Sequence, residues 1–336
     1  MNKKKKVIVG EDNLPPVTHY LSTGCTILDL AIADQLPGGF GGGRISHIWG
    51  PESTSKSVIS LIPLGSAQRQ GGKATMVDTE GTLDFKRAHD LFGVDMDSLD
   101  YHSPASKGDE DDITVEKLFQ NIISPILRDC NSTVPNVITV DSLSAVSSEK
   151  EMDENDPYGA QKAKQLSAAF RKNIWKLSQK NLSLIFVDQA RQDVGNTFGK
   201  RYTFAGGEAI KFYASTRVYL SLDSKIKNKH DKIVGVSIAF KVEKNKIAPP
   251  FREGVYDILF DYGIDDISTS LKFLQKNDPN WQAPKGYFRV PMSDKNYRLE
   301  DAVSFIEENK LEDGLISGVY EVWKTIYEPT ERKKRF

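Results

Sequence analysis

Gly50-Pro51-Glu52-Ser53-Thr54-Ser55-Lys56-Ser57 is the stretch on which the reading of this chain turns. It follows the apolar run Arg44-Ile45-Ser46-His47-Ile48-Trp49 and leads into an apolar, helical segment that begins Val58-Ile59. Strand, tight loop and helix, with Gly at the start and Lys-Ser at the end, is the layout of a phosphate-binding loop. In such a loop backbone N–H groups turn inward on phosphate oxygens, a lysine neutralises them and a hydroxyl holds Mg2+. Lys56 and Ser57 supply the last two. The pattern departs at Ser55, which stands where the second glycine belongs. Glycine is usual there because it tolerates positive φ, which costs other residues on the order of 1 kcal/mol. A folded domain can absorb that penalty. Taken alone, the eight residues also fit an ordinary turn.

Working outward, the middle of the chain alternates short apolar runs with longer amphipathic stretches, the pattern of βαβ units around a mostly parallel sheet. Ala74–Asp78, Val137–Asp141 and Leu182–Gln189 read as further strands. Ala163, Leu166, Phe170, Ile174 and Leu177 recur at helical spacing between the last two, as one face of a packed helix. Open α/β sheets place ligands where their strands end, and here those ends are polar. Asp141 is positioned to order Mg2+ and its waters, and Glu80, just beyond a strand, to orient a water attacking a γ-phosphate. Gln189 carries an amide that can sense that phosphate and pass its state to the following loop. Asp78 and Asp188 rank below Glu80 and Gln189 as structural neighbours. The nucleotide set is thus Gly50, Pro51, Glu52, Ser53, Thr54, Ser55, Lys56, Ser57 and Asp141, with ATP and Mg2+ as the implied ligands and Ser57 and Asp141 on the metal.

The 336 residues carry 45 Lys and Arg against 46 Asp and Glu, a net charge of −1. Whole-molecule charge therefore does not announce a nucleic-acid binder, and any such binding must come from local basic strips. Lys3–Lys6 and Arg332–Arg335 are two such clusters, each of which also suits a solvated tail. No apolar run approaches the roughly 20 residues of a membrane helix. The basic N-terminus lacks the apolar segment of a secretory signal, and Cys25 and Cys130 fit a reducing compartment. A cytoplasmic location follows, with no membrane partner. Val234–Val242 and Val255–Phe260 read as antiparallel strands. From Lys276 the composition shifts to Asn, Asp, Pro and Lys before short helices near Leu299–Asn309 and Leu315–Ile326, the mark of a small C-terminal unit.

Over Thr18 to Leu274 the chain resembles the RecA recombinase family, and looks like its phage-encoded branch. Gly43-Arg44-Ile45 leading into Gly50-Pro51-Glu52-Ser53 is similar to the family's strand and phosphate loop. Val77-Asp78-Thr79-Glu80 with Leu83-Asp84 resembles the segment of its catalytic glutamate, and Val140–Ala145 its carboxylate strand. Most specific are Gly206-Gly207-Glu208-Ala209-Ile210-Lys211-Phe212-Tyr213-Ala214-Ser215-Thr216-Arg217 and Lys244-Asn245-Lys246-Ile247-Ala248-Pro249-Pro250.

The resemblance implies a RecA-like α/β ATPase core over 21–275, with a mostly parallel twisted sheet flanked by helices. Residues 1–20 would be a short segment whose Lys6–Val9 docks on a neighbour, and 276–336 a small C-terminal α/β domain with a basic tail. It implies an ATP-dependent recombinase that forms a helical filament on single-stranded DNA and pairs it with duplex. A single-strand-binding protein and a loader are further possible partners. Glu149–Gly159 would be one DNA loop, with Tyr158 as a wedge. Arg191–Gly207 would be the other, with Arg191, Phe198, Lys200, Arg201, Gly206 and Gly207 along the strand. Lys244 and Lys246 would reach the ATP of the neighbouring subunit. Arg87, beside Phe85, stands where bacterial members stack an aromatic on adenine. A regulatory or annealing paralogue with little hydrolysis is the alternative within the fold.

Overall fold

Strands that are apolar along their whole length, rather than alternating, belong in the middle of a sheet covered on both faces. The computed structural model, which describes residues 14–104, 113–147, 160–192, 202–203, 207–291, 293 and 295–328, has them there. In chain order the strands are β1 (Ile45–Gly50), β2 (Ala74–Asp78), β3 (Asp100–His102), β4 (Asn136–Asp141) and β5 (Leu182–Gln189). They continue as β6 (Thr216–Lys227), β7 (Ile233–Asn245), β8 (Glu253–Leu259) and β9 (Gly263–Asp265). One nine-stranded sheet results, in the order β9-β8-β7-β6-β1-β5-β4-β2-β3. From β6 to β3 neighbours are parallel; β7, β8 and β9 extend it antiparallel.

The strands read from sequence hold to within a residue or two at β1, β2, β4 and β5. The β6 strand was not read, because its alternation lasts only over Thr216, Val218 and Leu220 before both faces meet solvent.

Helices cover the two faces. On one lie α1 (Thr26–Ala33), α2 (Lys56–Arg69) and α3 (Phe85–Phe92), sharing a buried cluster with Ile48, Ile185 and Leu220. On the other are α4 (Ser124–Asp129), α5 (Ala160–Gln179) and α6 (Gly207–Tyr213), packed on Val140, Leu184 and Phe186. The expected face of α5 is the one buried: Leu166, Phe170, Ile174 and Leu177 are all at most 6% exposed. Each such side chain contributes roughly 1.5–3 kcal/mol on leaving water.

The C-terminal residues join the first of these cores. Helix α7 (Asp266–Asn277) meets α9 (Glu312–Ile326), while α8 (Leu299–Glu308) buries Ala302 and Ile306. Trp323 is 1% exposed and donates its indole N–H to Asp34 Oδ1 at 3.0 Å. Arg252 pairs with the same oxygen at 2.7 Å and lies over the rings of Trp323 and Tyr327. Cys25 and Cys130 are free and buried. Among the described residues no helix is long and apolar enough to cross a membrane.

Candidate functional site

Parallel pairing brings the carboxyl ends of β1, β5, β4 and β2 side by side. Gly50 is opposite Gln189, and Asp141 is opposite Asp78. Neighbouring strands lie about 4.8 Å apart, so the four polar strand ends line one edge. Loop 50–57 turns back over that edge. A Cβ on Gly50 would sit 2.2 Å from the Leu220 carbonyl oxygen, which leaves no room for any other residue.

Ser55 takes φ +58° and ψ +29°, the left-handed conformation for which glycine is the usual choice, and Ser53 also has φ +58°. The strain at Ser55, about 1 kcal/mol, is outweighed by α2, which follows it and buries Ile59, Leu61 and Leu64. Ser55→Gly is therefore expected to raise the unfolding free energy by about 1 kcal/mol, a gain of a few degrees or less in melting temperature for a chain of this size. A thermal melt showing no gain would mean the serine is held by a contact that offsets its strain.

Lys56 begins α2, and its Nζ donates to Pro51 O at 2.6 Å, so the loop closes round the ammonium. Burial pulls the Lys56 pKa down, against the nearby charges of Asp141, Glu52, Glu80 and Asp188. Ser57 donates to Asp141. Burial pushes Asp141 up to about 6, with Glu80 and Asp78 adding to it and Lys56 opposing it. A buried carboxylate held beside a hydroxyl and further carboxylates is a set of hard oxygen donors.

Asp78 accepts the backbone N–H groups of Glu80 (3.2 Å), Gly81 (2.8 Å) and Leu83 (2.8 Å), and the Tyr101 hydroxyl (3.0 Å). That bonding presents Glu80 at the surface, where its Oε1 accepts from Ser142 Oγ at 3.0 Å. Gln189 Nε2 donates to Glu52 Oε1, tying β5 to the loop.

Beside Ser57 and Asp141 a cleft continues past Leu61, Leu83 and Asp84 to Arg87. The Asp84 side chain accepts from Arg87 N at 3.0 Å and so caps α3. Phe85 does not line this cleft; it packs edge-on against Tyr101 at 4.9 Å.

Lys244 and Lys246 lie at the opposite end of the sheet. Asn245 pairs with Thr216, which pairs with Ser46 at the start of β1, so the phosphate loop is a strand length away. Lys244 Nζ donates to the Lys211 and Phe212 carbonyls at the end of α6, at 2.9 and 2.6 Å. Beyond Gln189 the chain forms a short antiparallel pair, Arg191–Gln192 with Tyr202–Thr203, and Gly207 opens α6. Tyr158, Phe198, Lys200, Arg201 and Gly206 lie outside the described residues, as do Lys3–Lys6, Lys6–Val9 and Arg332–Arg335.

Loop 50–57, two strand-end carboxylates and a glutamine share one sheet edge, and over residues 3–265 the chain matches the family model of the RecA N-terminal domain. The chain belongs to the RecA family. It is 36% identical over 285 residues to the protein RecA of Leifsonia xyli subsp. xyli, which covers 83% of this chain and 75% of that protein. RecA of Leptospira meyeri is 33% identical over 315 residues, 91% of this chain and 77% of that protein. RecA of Colwellia psychrerythraea is 35% identical over 269 residues, 80% and 73%. The RecA assignment makes the chain a DNA recombinase and a DNA-dependent ATPase that uses ATP.

Sequence reasoning missed two polar side chains at this RecA site and a third in the sheet beneath it. Thr79 and Ser142 lock β2 to β4: the Thr79 hydroxyl donates to Ser142 O at 2.9 Å and accepts Ser142 N–H at 2.8 Å. His47, fully buried in β1, faces Asp188. A histidine inside an apolar run was the available signal for the last; nothing in the sequence marks the other two.

Proposed function

We propose that this chain hydrolyses ATP at the edge formed by residues 50–57, Glu80, Asp141 and Gln189, and uses that reaction to drive a filament along single-stranded DNA through pairing and strand exchange with duplex. The supporting observation is one of connectivity. Gln189, bonded to the phosphate loop, stands two residues before Arg191, where the second proposed DNA segment begins. A γ-phosphate that draws the amide away from Glu52 thereby pulls on that segment.

Lys56 and the loop N–H groups hold the β- and γ-phosphates, Glu80 orients the attacking water, and the cleft ending at Arg87 takes the base. Ser57 and Asp141 fit Mg2+ by their donor chemistry; bound there, the ion would neutralise charge between the phosphates. Arg191, Phe198, Lys200, Arg201, Gly206 and Gly207 would follow one DNA strand and Tyr158 would wedge its bases. Lys244 and Lys246, remote from the chain's own loop, would serve the neighbour's ATP in the filament.

Residues 276–336 form the small C-terminal domain in this reading. Ser55 and the basic residues 332–335 support a place in the phage-encoded branch, with the protein working in the host cytoplasm beside a single-strand-binding protein and a loader.

The test is Glu80→Gln. It should slow DNA-stimulated hydrolysis by about 100- to 10,000-fold, the range for a general base, while ATP-dependent binding to an oligo-dT strand persists. Hydrolysis at the normal rate in that variant would remove Glu80 from the mechanism.

A further inference from the structure

His47 and Asp188 are fully buried and bonded to each other beneath the ATP edge. Arg217 Nε, on β6, donates to His47 Nδ1 at 3.3 Å. An arginine can only donate, so the imidazole proton sits on Nε2, which donates to Asp188 Oδ2 at 3.0 Å. The other oxygen of Asp188 accepts the Ser144 hydroxyl at 2.9 Å. At the far end Arg217 pairs with Glu243 at 3.3 Å, and Glu243 also accepts the Trp49 indole N–H at 3.0 Å.

A continuous line of polar groups thus crosses β7, β6, β1 and β5 beneath α5 and α6. Its ends are informative. Glu243 precedes Lys244. Asp188 precedes Gln189. Ser144 lies in the turn that leaves β4 after Asp141, and the buried Lys162 holds that turn through Leu143 O at 2.8 Å. Stability alone does not call for such a line, because buried ionic groups can often be exchanged for apolar ones without loss. Burial keeps the His47 pKa low, opposed by Asp188 and aided by Arg217. The ring therefore stays neutral, one nitrogen accepting and the other donating, which suits it to join two charged partners.

We infer that His47 is a positioning residue for DNA-dependent ATP hydrolysis: it fixes Asp188, and through it Gln189 and Ser144, against the strand that carries Lys244. This rests on the roles given above to Gln189 and Lys244. The phosphate-sensing strand end, the base of the first DNA segment and the neighbour-facing lysine then move as one unit. DNA on one side and the adjoining subunit on the other are felt together at the ATP.

The experiment measures turnover and KM for ATP, with and without poly-dT, in the full-length chain and in His47→Leu, His47→Gln and Ser144→Ala. In His47→Leu the DNA-free turnover and the KM should stay within about twofold, while the stimulation by DNA falls about tenfold, a typical coupling between sites. Glutamine offers Asp188 an N–H again and should recover most of the stimulation. Ser144→Ala removes one bond, leaves no charge unpaired and should lose about threefold in stimulation; with His47→Gln it decides the matter if the leucine variant does not fold. Normal stimulation in Ser144→Ala and His47→Leu overturns the inference. So does equal loss with and without DNA, or equal loss in the leucine and glutamine variants. Unimpaired hydrolysis in a Lys56→Ala control would instead sink the assignment of the ATP site itself.

Discussion

Lys56→Ala is expected to cut ATP hydrolysis by about 100- to 1,000-fold or more, the loss seen when one preorganised charge-stabilising group is removed, and to weaken ATP binding with it. The reason lies in what surrounds the ammonium. Asp141, Glu52, Glu80 and Asp188 all act on Lys56, so its removal leaves carboxylates facing a polyphosphate with no lysine between. Burial already strains the charged form of Lys56, and alanine relieves that penalty. The variant should therefore fold and melt close to the parent, because the lost hydrogen bond to Pro51 O is offset by the lost desolvation. Phosphate release with single-stranded DNA, read beside a thermal melt, checks both halves. Retained hydrolysis would show that loop 50–57 holds no phosphate despite its shape. Loss of folding would show that the lysine's bond to Pro51 shapes the loop.

The legible features were those that depend on local chemistry. Strand ends carrying Asp141 and Gln189 were visible because core packing gives no reason for an acidic or amide residue to close an apolar run. The strain at Ser55 was visible because the motif fixes the conformation whatever residue fills it, and φ +58° is the result. Asp78 and Glu80 could be ranked but not explained. Only the folded chain shows Asp78 accepting three backbone N–H groups and so setting Glu80 on display.

The illegible features depend on which strands become neighbours. Arg217 and His47 are 170 residues apart and meet because β6 lies beside β1. The β6 strand hid for a related reason: half of it has no partner layer, so its sequence carries no alternation there. Arg87 was expected beside the base on a resemblance, and it does line the cleft that holds Ser57 and Asp141. Phe85, its neighbour in sequence, packs against Tyr101.

Lys244→Ala should have the other large effect, and it tests an arrangement that a single chain cannot carry out. Within the chain the lysine donates to the last carbonyls of α6 and lies a strand length from its own phosphate loop. A cation that completes a neighbour's site in this manner contributes about 1,000- to 100,000-fold to turnover. DNA-stimulated hydrolysis should fall towards that range, with ATP binding to the isolated chain little changed. The decisive measurement mixes two inactive variants. Lys244→Ala keeps its phosphate loop, and Lys56→Ala keeps its Lys244. In a randomly mixed filament half of the loops are intact, and half of those face an intact lysine. About a quarter of the interfaces should therefore hydrolyse ATP, a consequence of head-to-tail assembly. Recovery on mixing locates the lysine in trans. A mixture as inactive as its parts would confine Lys244 to its bonds with α6, and the cost of losing it would then be a helix end left without its cation.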